Sequence, residues 1–205
     1  MPSTDSKTAA FNGEPRYEFR IWAPSLAEVR ARLDRLSRHE PIEQTRETYI
    51  VSDTTSDTNA KIRAGLMDIK VLLGAESGLE QWHAYLKAEF PIDATLIAQK
   101  ILPALCVDAP ALSGRVFTAE EFIEAVVKPH QRLAAVELMK NRRHYPMGES
   151  AAEFVEIEIL GRKLQSVAVE SASAQAVLDA VGKLGIGDQA NISYVRQIKS
   201  MLGRG

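Results

Sequence analysis

Two stretches near opposite ends of the chain alternate charged and apolar residues in step: Arg16-Tyr17-Glu18-Phe19-Arg20-Ile21 and Phe154-Val155-Glu156-Ile157-Glu158-Ile159. A strand turns successive side chains to opposite faces, so Arg16, Glu18 and Arg20 share one face and Tyr17, Phe19 and Ile21 the other. Glu156 and Glu158 are set against Val155, Ile157 and Ile159 in the same way. Such strands pack one face on an apolar layer and turn the other either to water or to an enclosed polar space. A single strand of this kind reads as a solvated outer face. Several of them aimed at one place would build a charged interior.

The pattern recurs. Glu43 to Val51 alternates and is rich in β-formers, Ala60 to Ala64 and Leu66 to Leu73 follow across short turns, and further strands are expected over Leu133–Tyr145, Phe154–Leu160 and Leu164–Glu170. Short turns between consecutive strands favour antiparallel pairing. Helical spacing marks Leu26, Val29, Leu33 and Leu36, with Ser25 and Glu28 at capping-box separation. It also marks Leu79, Trp82, Leu86 and Phe90, predicting a helix ended by Pro91, and a segment capped by Asp93 with Leu96, Ile97 and Ile101. Thr118 and Glu121 have capping-box spacing before Phe122 and Val126, and two last helices are expected over Ser173–Leu184 and Asn191–Leu202. Strands, helices, strands, helices is an α+β order.

Cations fall at alternate positions on four of these strands: Arg20, Lys61 with Arg63, Lys70 beside Asp68, and Lys140 with Arg142. If the faces converge, six cations meet where water screens them poorly. Phosphate is the anion best matched by Arg forks and Lys point charges. The alternative is a set of solvated faces with cross-strand pairs to Glu18, Glu47 and Asp68. Glu18, Glu156, Glu158 and Glu170 supply carboxylates, which among phosphate-binding cations suit Mg²⁺ or Mn²⁺. Glu153 lies on the opposite face from Glu156 in a regular strand. The four histidines have no paired metal spacing, and Gly182, Gly185 and Gly187 lack a phosphate-loop pattern.

Composition narrows the classes. At 205 residues, 45% hydrophobic and 25% charged, the chain fits one globular unit, and a net charge of −2 argues against a general nucleic-acid coat. Cys106 is the single cysteine, so no intrachain disulfide or thiolate metal site is available. No apolar run reaches the roughly 18 residues that a bilayer span requires. Residues 1–15 read as a polar, flexible leader without a signal-peptide core, residues 16–205 as a single domain, and the protein as cytoplasmic with no membrane partner.

Taken in order, these pieces resemble the CYTH superfamily, the triphosphate tunnel metalloenzymes, which include class IV adenylate cyclases and thiamine triphosphatases. The resemblance covers about Arg16 to Leu202. It is carried by the first strand, Arg46-Glu47-Thr48-Tyr49, Lys61-Ile62-Arg63, Asp68-Ile69-Lys70, Lys140-Asn141-Arg142-Arg143, the pair Glu156 and Glu158, Val169-Glu170-Ser171 and Asn191-Ile192-Ser193-Tyr194. It implies an antiparallel eight-stranded tunnel-like β-barrel with flanking helices and a metal-dependent phosphohydrolase acting on inorganic or organic triphosphate. Arg20, Lys61, Arg63, Lys70, Lys140 and Arg142 would grip phosphate, and Glu18, Glu156, Glu158 and Glu170 would hold Mg²⁺ or Mn²⁺. Glu18 and Glu158 would stand at the chemistry. The family's first strand reads Glu-x-Glu-x-Lys; aligned on its basic end this chain reads Arg16-x-Glu18-x-Arg20, which removes a metal ligand and adds a cation. Aligned on its acidic start it reads Glu18-x-Arg20-x-Trp22, which loses the second glutamate and the lysine. That departure supports the alternative of a non-catalytic module for a small phosphorylated ligand. A protein-interaction scaffold on the same fold is a third reading. Substrate and oligomeric state are not legible.

Overall fold

The computed structural model describes residues 8–9, 13–112 and 114–204. Eight antiparallel strands form a closed barrel: β1 (Arg16–Ala23), β2 (Glu43–Ser52), β3 (Thr58–Arg63), β4 (Leu66–Glu76), β5 (Leu79–Glu89), β6 (Leu133–Met147), β7 (Ser150–Ile159) and β8 (Arg162–Ser171). Around the wall the order is β5-β1-β8-β7-β6-β2-β3-β4, and β4 pairs with β5 to close it, leaving no open edge. Five helices flank it: α1 (Ala27–Leu36), α2 (residues 94–104), α3 (residues 119–127), α4 (Ala174–Leu184) and α5 (Tyr194–Met201). Of the expected leader, residues 1–7 and 10–12 lie outside the described residues, while Thr8–Ala9 pair antiparallel with Ala88 and Lys87 of β5. Among the described residues no helix is long and apolar enough to cross a membrane.

Hairpin chemistry fixes three of the joins. The loops Ala64-Gly65, Ser77-Gly78 and Leu160-Gly161 each hold two residues at positive φ. That is the type I′ geometry whose twist matches paired strands, with glycine where the left-handed conformation is least costly.

Three apolar clusters divide the packing. One lies outside the wall, where Ile50, Ile62, Met67, Ile69 and Leu86 meet α2 and α3. A second, also outside, packs Phe19, Ile21, Phe154, Val167 and Val169 against α1 and α4. The third is inside. Tyr49, Val51, Val136, Leu138, Val155, Ile157 and Ile159 take their places on the inner faces of β2, β6 and β7, and α5 inserts Tyr194, Val195 and Ile198 among them. One end of the barrel is therefore plugged, and the expected tunnel is a cup. Lys199 of α5 reaches the β2–β3 loop, donating to the carbonyl of Thr55 at 3.2 Å and to Ser56 Oγ at 3.1 Å.

Two sequence expectations are corrected. Leu79 to Phe90 does not make a helix; residues 79–89 are β5, the strand that closes the barrel. Its helix-like apolar spacing arises from a bulge: Ile69 faces Leu86 and Lys70 faces Ala84, so Tyr85 is an extra residue that reverses the alternation. The Ser25–Glu28 capping box is also not formed. Helix α1 starts at Ala27 behind Leu26, whose amide donates to Gln165 Oε1 on β8. By contrast, Asp93 and the Thr118–Glu121 box cap as expected.

The plug makes a stability prediction. Ile198 is fully buried in the inner cluster, and Ile198→Ala removes three carbons that the closed wall cannot collapse around. The expected loss is about 2–5 kcal/mol, read as a lower urea midpoint at unchanged slope.

Candidate functional site

Above the plug the inner rows turn from apolar to charged. Along β7 the inner row runs Ile159, Ile157, Val155, Glu153, Ala151; along β6 it runs Val136, Leu138, Lys140, Arg142, His144. On β2, Glu47 follows Val51 and Tyr49. The resulting cavity, about 270 Å³, has Tyr194 at its floor and Arg63, His144 and Glu170 toward its open rim. Six cationic side chains line it (Arg20, Lys61, Arg63, Lys70, Lys87, Arg142) against four carboxylates (Glu18, Asp68, Glu153, Glu170).

Glu47 is the hub. It has no exposed surface, and its carboxylate accepts from Lys140 Nζ at 2.8 Å and Arg142 at 3.0 Å, with Lys61 at 3.5 Å and Arg63 at 3.8 Å. Burial pushes this carboxyl upward, but Lys140, Lys61 and Arg142 outweigh it and bring it down to about 2. Lys140 lies beneath the floor, donating also to Tyr49 Oη at 3.0 Å and standing 3.9 Å from the centre of the Tyr194 ring. Burial depresses its ammonium; Glu47 opposes this and Lys61 and Arg142 add to it, leaving it at about 7. Its pairing assigns Lys140 to holding Glu47 in place.

Arg20 and Arg142 share a second carboxylate. Glu153 stands 3.3 Å from Arg20 and 3.2 Å from Arg142. Burial would raise its carboxyl, but the two guanidiniums and Lys140 pull it down to about 2. Arg20 also donates to Glu18 at 2.9 Å and to Ser166 Oγ at 3.1 Å, and its guanidinium lies 4.3 Å from the Tyr194 ring centre. Its backbone is fixed by Asn191, whose Oδ1 accepts from the Arg20 amide at 2.8 Å.

The structure brings most of the expected site residues together. Glu18, Arg20, Lys61, Arg63, Lys70, Arg142 and Glu170 line the cavity. Glu156 and Glu158 do not. They face outward, Glu156 pairing with Arg143 at 3.0 Å and Glu158 remaining exposed. Glu153 is the inner carboxylate of that strand, reversing the sequence reading. The reason is that the inner row of β7 is mostly apolar: Val155 and Ile157 fill the plugged half and Glu153 begins the charged half, so the charged pair marks the outside. Arg16 sits at the rim, 3.7 Å from Glu170 and about half exposed.

The four carboxylates expected to share a divalent ion are thus not gathered. Glu18 and Glu170 are cross-strand partners, but each has a guanidinium in attendance. Among the described residues no group of three or more His, Cys, Asp or Glu is placed to hold a metal. This donor set does not fit a carboxylate-held Mg²⁺ or Mn²⁺.

The hub can be tested against an outer glutamate. Glu47→Gln leaves buried cations without their counter-charge and is expected to cost about 3–5 kcal/mol. Glu156→Gln, on the outside, should cost less than about 1 kcal/mol; urea unfolding at pH 7 measures both. Because Glu47 and Glu153 are held below the ordinary 4.5, their contribution is present above pH 4.5 and lost as pH falls toward 2. Glu47→Gln should flatten that acid limb.

No protein-family model and no curated protein matches the chain. Solved structures do. A protein from Pyrococcus horikoshii is 14% identical at a TM-score of 0.56, covering 91% of this chain and 99% of its own. A conserved hypothetical protein from Pyrococcus furiosus is 14% identical at 0.54, covering 89% and 98%. A Bacillus halodurans protein described as a "putative adenylate cyclase" is 12% identical at 0.52, covering 90% and 98%. At these identities the likeness is one of fold: the chain has the closed eight-stranded barrel of these proteins over nearly its full length.

Proposed function

We propose that this protein is a binding module of the CYTH type that holds a small phosphorylated ligand in its cup without metal-dependent turnover. One observation carries the reading: a single buried carboxylate, Glu47, is shared by four cations, in a cavity lined by six cationic side chains and four carboxylates. With Glu47 and a protonated Lys140 counted beside the lining groups, seven cations face five carboxylates; a surplus of two positive charges matches a phosphate dianion, and water screens it poorly. Arg20 and Arg142 offer planar forks, and Lys61 and Lys70 offer point charges. The same surplus repels a divalent cation, and Arg16 adds to it at the rim.

The reading that competes is the metal-dependent triphosphatase. What favours it is the facing of Glu18 and Glu170 across β1 and β8 inside the cavity, together with the description of the Bacillus halodurans neighbour. In that case Arg16→Glu would complete a carboxylate set and Mg²⁺ would bind.

Calorimetric titration with tripolyphosphate and with sulfate, each with and without EDTA, separates the two. Binding indifferent to EDTA and no phosphate release support the module; Mg²⁺-dependent phosphate release overturns it. Saturating anion should also stabilise the fold, by about 2.7 kcal/mol at a hundred times its dissociation constant.

Sulfate affinity should fall as pH rises through about 7, because Lys140 then loses its proton and the cavity loses a positive charge. Sulfate does not titrate in this range, so the groups that could respond are the protein's own: Lys140, Lys61, the His144 imidazole at the rim and the carboxylates around them; His144→Gln should keep the fall if Lys140 carries it. Binding below this point should proceed without proton exchange at Lys140, and above it with proton uptake, measured in buffers of different ionisation enthalpy. The opposite sign would remove Lys140 from the account.

A further inference from the structure

The cavity is not uniformly cationic, and its unpaired groups are of two kinds. At the floor the buried Tyr194 hydroxyl has no hydrogen-bond partner among the described residues, and the Arg20 guanidinium lies over the ring of the same residue. On the β3–β4 wall, Asp68 Oδ1 and Asn59 Oδ1 are buried acceptors without partners. Asp68 is 8% exposed and lines the cavity. Its cross-strand partners on the inner face are Lys61 and Lys87; the Lys61 ammonium is turned to Glu47 at 3.5 Å, and Lys87 also lines the cavity. Among the described residues no ion pair of Asp68 within 4 Å is formed. A buried carboxylate oxygen left unpaired is costly and calls for a donor.

A fully ionised anion such as sulfate has no donor to give. A hydrogen phosphate has one P–OH, too few for both acceptors, and it brings negative charge against Asp68. A cavity of about 270 Å³ lies at the small end of ligand sites and has room for roughly nine waters at ~30 Å³ each. That is space for a phosphate group with a short chain.

Resting on the anion-binding reading above, we infer that the ligand is a small phosphorylated molecule carrying an ammonium or other N–H donor. Its phosphate sits among Arg20, Arg142 and the Tyr194 hydroxyl, and its donor is seated against Asp68 and Asn59. The cationic wall alone would accept any phosphate; Asp68 gives the site its selectivity, since an ester without the donor leaves a buried charge unpaired.

The full-length protein is titrated at pH 7 with inorganic phosphate, with ethyl and propyl phosphate, and with 2-aminoethyl and 3-aminopropyl phosphate. At least one aminoalkyl ester is expected to bind about tenfold or more tightly than the unsubstituted ester of equal length, a difference of ~1.4 kcal/mol. In Asp68→Asn that ratio should fall to within about twofold. Equal binding of amino and unsubstituted esters to the wild type overturns this inference and leaves the anion site standing. Binding of none of the probes, inorganic phosphate included, overturns both. A ratio undiminished in a folded Asp68→Asn removes Asp68 from the role. Should that variant not fold, the wild-type series alone decides.

Discussion

A carboxylate with no exposed surface can stay ionised only if the surrounding protein supplies what water would have given it. Glu47, on β2, is in that position, and its partners come from the two strands beside it: Lys140 and Arg142 from β6, Lys61 and Arg63 from β3. These strands are neighbours in the wall, so the register that pairs them also brings the charges together. A one-residue slip in β2 would turn Glu47 outward and leave Lys140 buried alone. The charged hub and the barrel register therefore specify each other, and the placement of Arg142 and Lys61 in the cavity wall is a consequence of that coupling.

The barrel works because its interior is divided along its axis. Below the level of Lys140 the inner rows are Val, Ile, Leu and Tyr, and α5 fills the space with Tyr194, Val195 and Ile198. Above it they are charged. Tyr194 belongs to both halves: its ring packs on Tyr49 and Trp22, and it takes Arg20 and Lys140 against its faces. An aromatic ring is suited to this boundary because its body is apolar while its face attracts cations. It lets the core end directly against the charge cluster.

Much of this was legible in the sequence. The alternation in Arg16–Ile21 put Arg16, Glu18 and Arg20 on one face of β1 but left open whether it was the inner one, which it is, and the alternate cations on β3, β4 and β6 do converge. Two features hid. In β5 a bulge at Tyr85 broke the period of two, and what remained of the apolar spacing imitated a helix; nothing local distinguishes an inserted residue from a change of period. In β7 the alternation was plain but its direction was ambiguous, since the apolar row faces the plugged half of the interior and the charged row faces solvent. Only the position of α5, far along the chain, decides which row is inside. Glu153 escaped for the same reason, although its spacing from Val155 and Ile157 places it in their row. The capping box at Ser25 had the right letters, but Gln165 from β8 reached the helix start first.

The plug has a consequence for traffic. A barrel open at both ends can let a chain slide through; one stoppered by α5 has a single doorway, so whatever enters must leave by the way it came. A long polymer could insert no more than its terminus. Any bulky remainder of a ligand must stay outside the rim, near Arg16, Arg63 and Glu170, and entry order sets exit order: a second molecule cannot push the first out from behind.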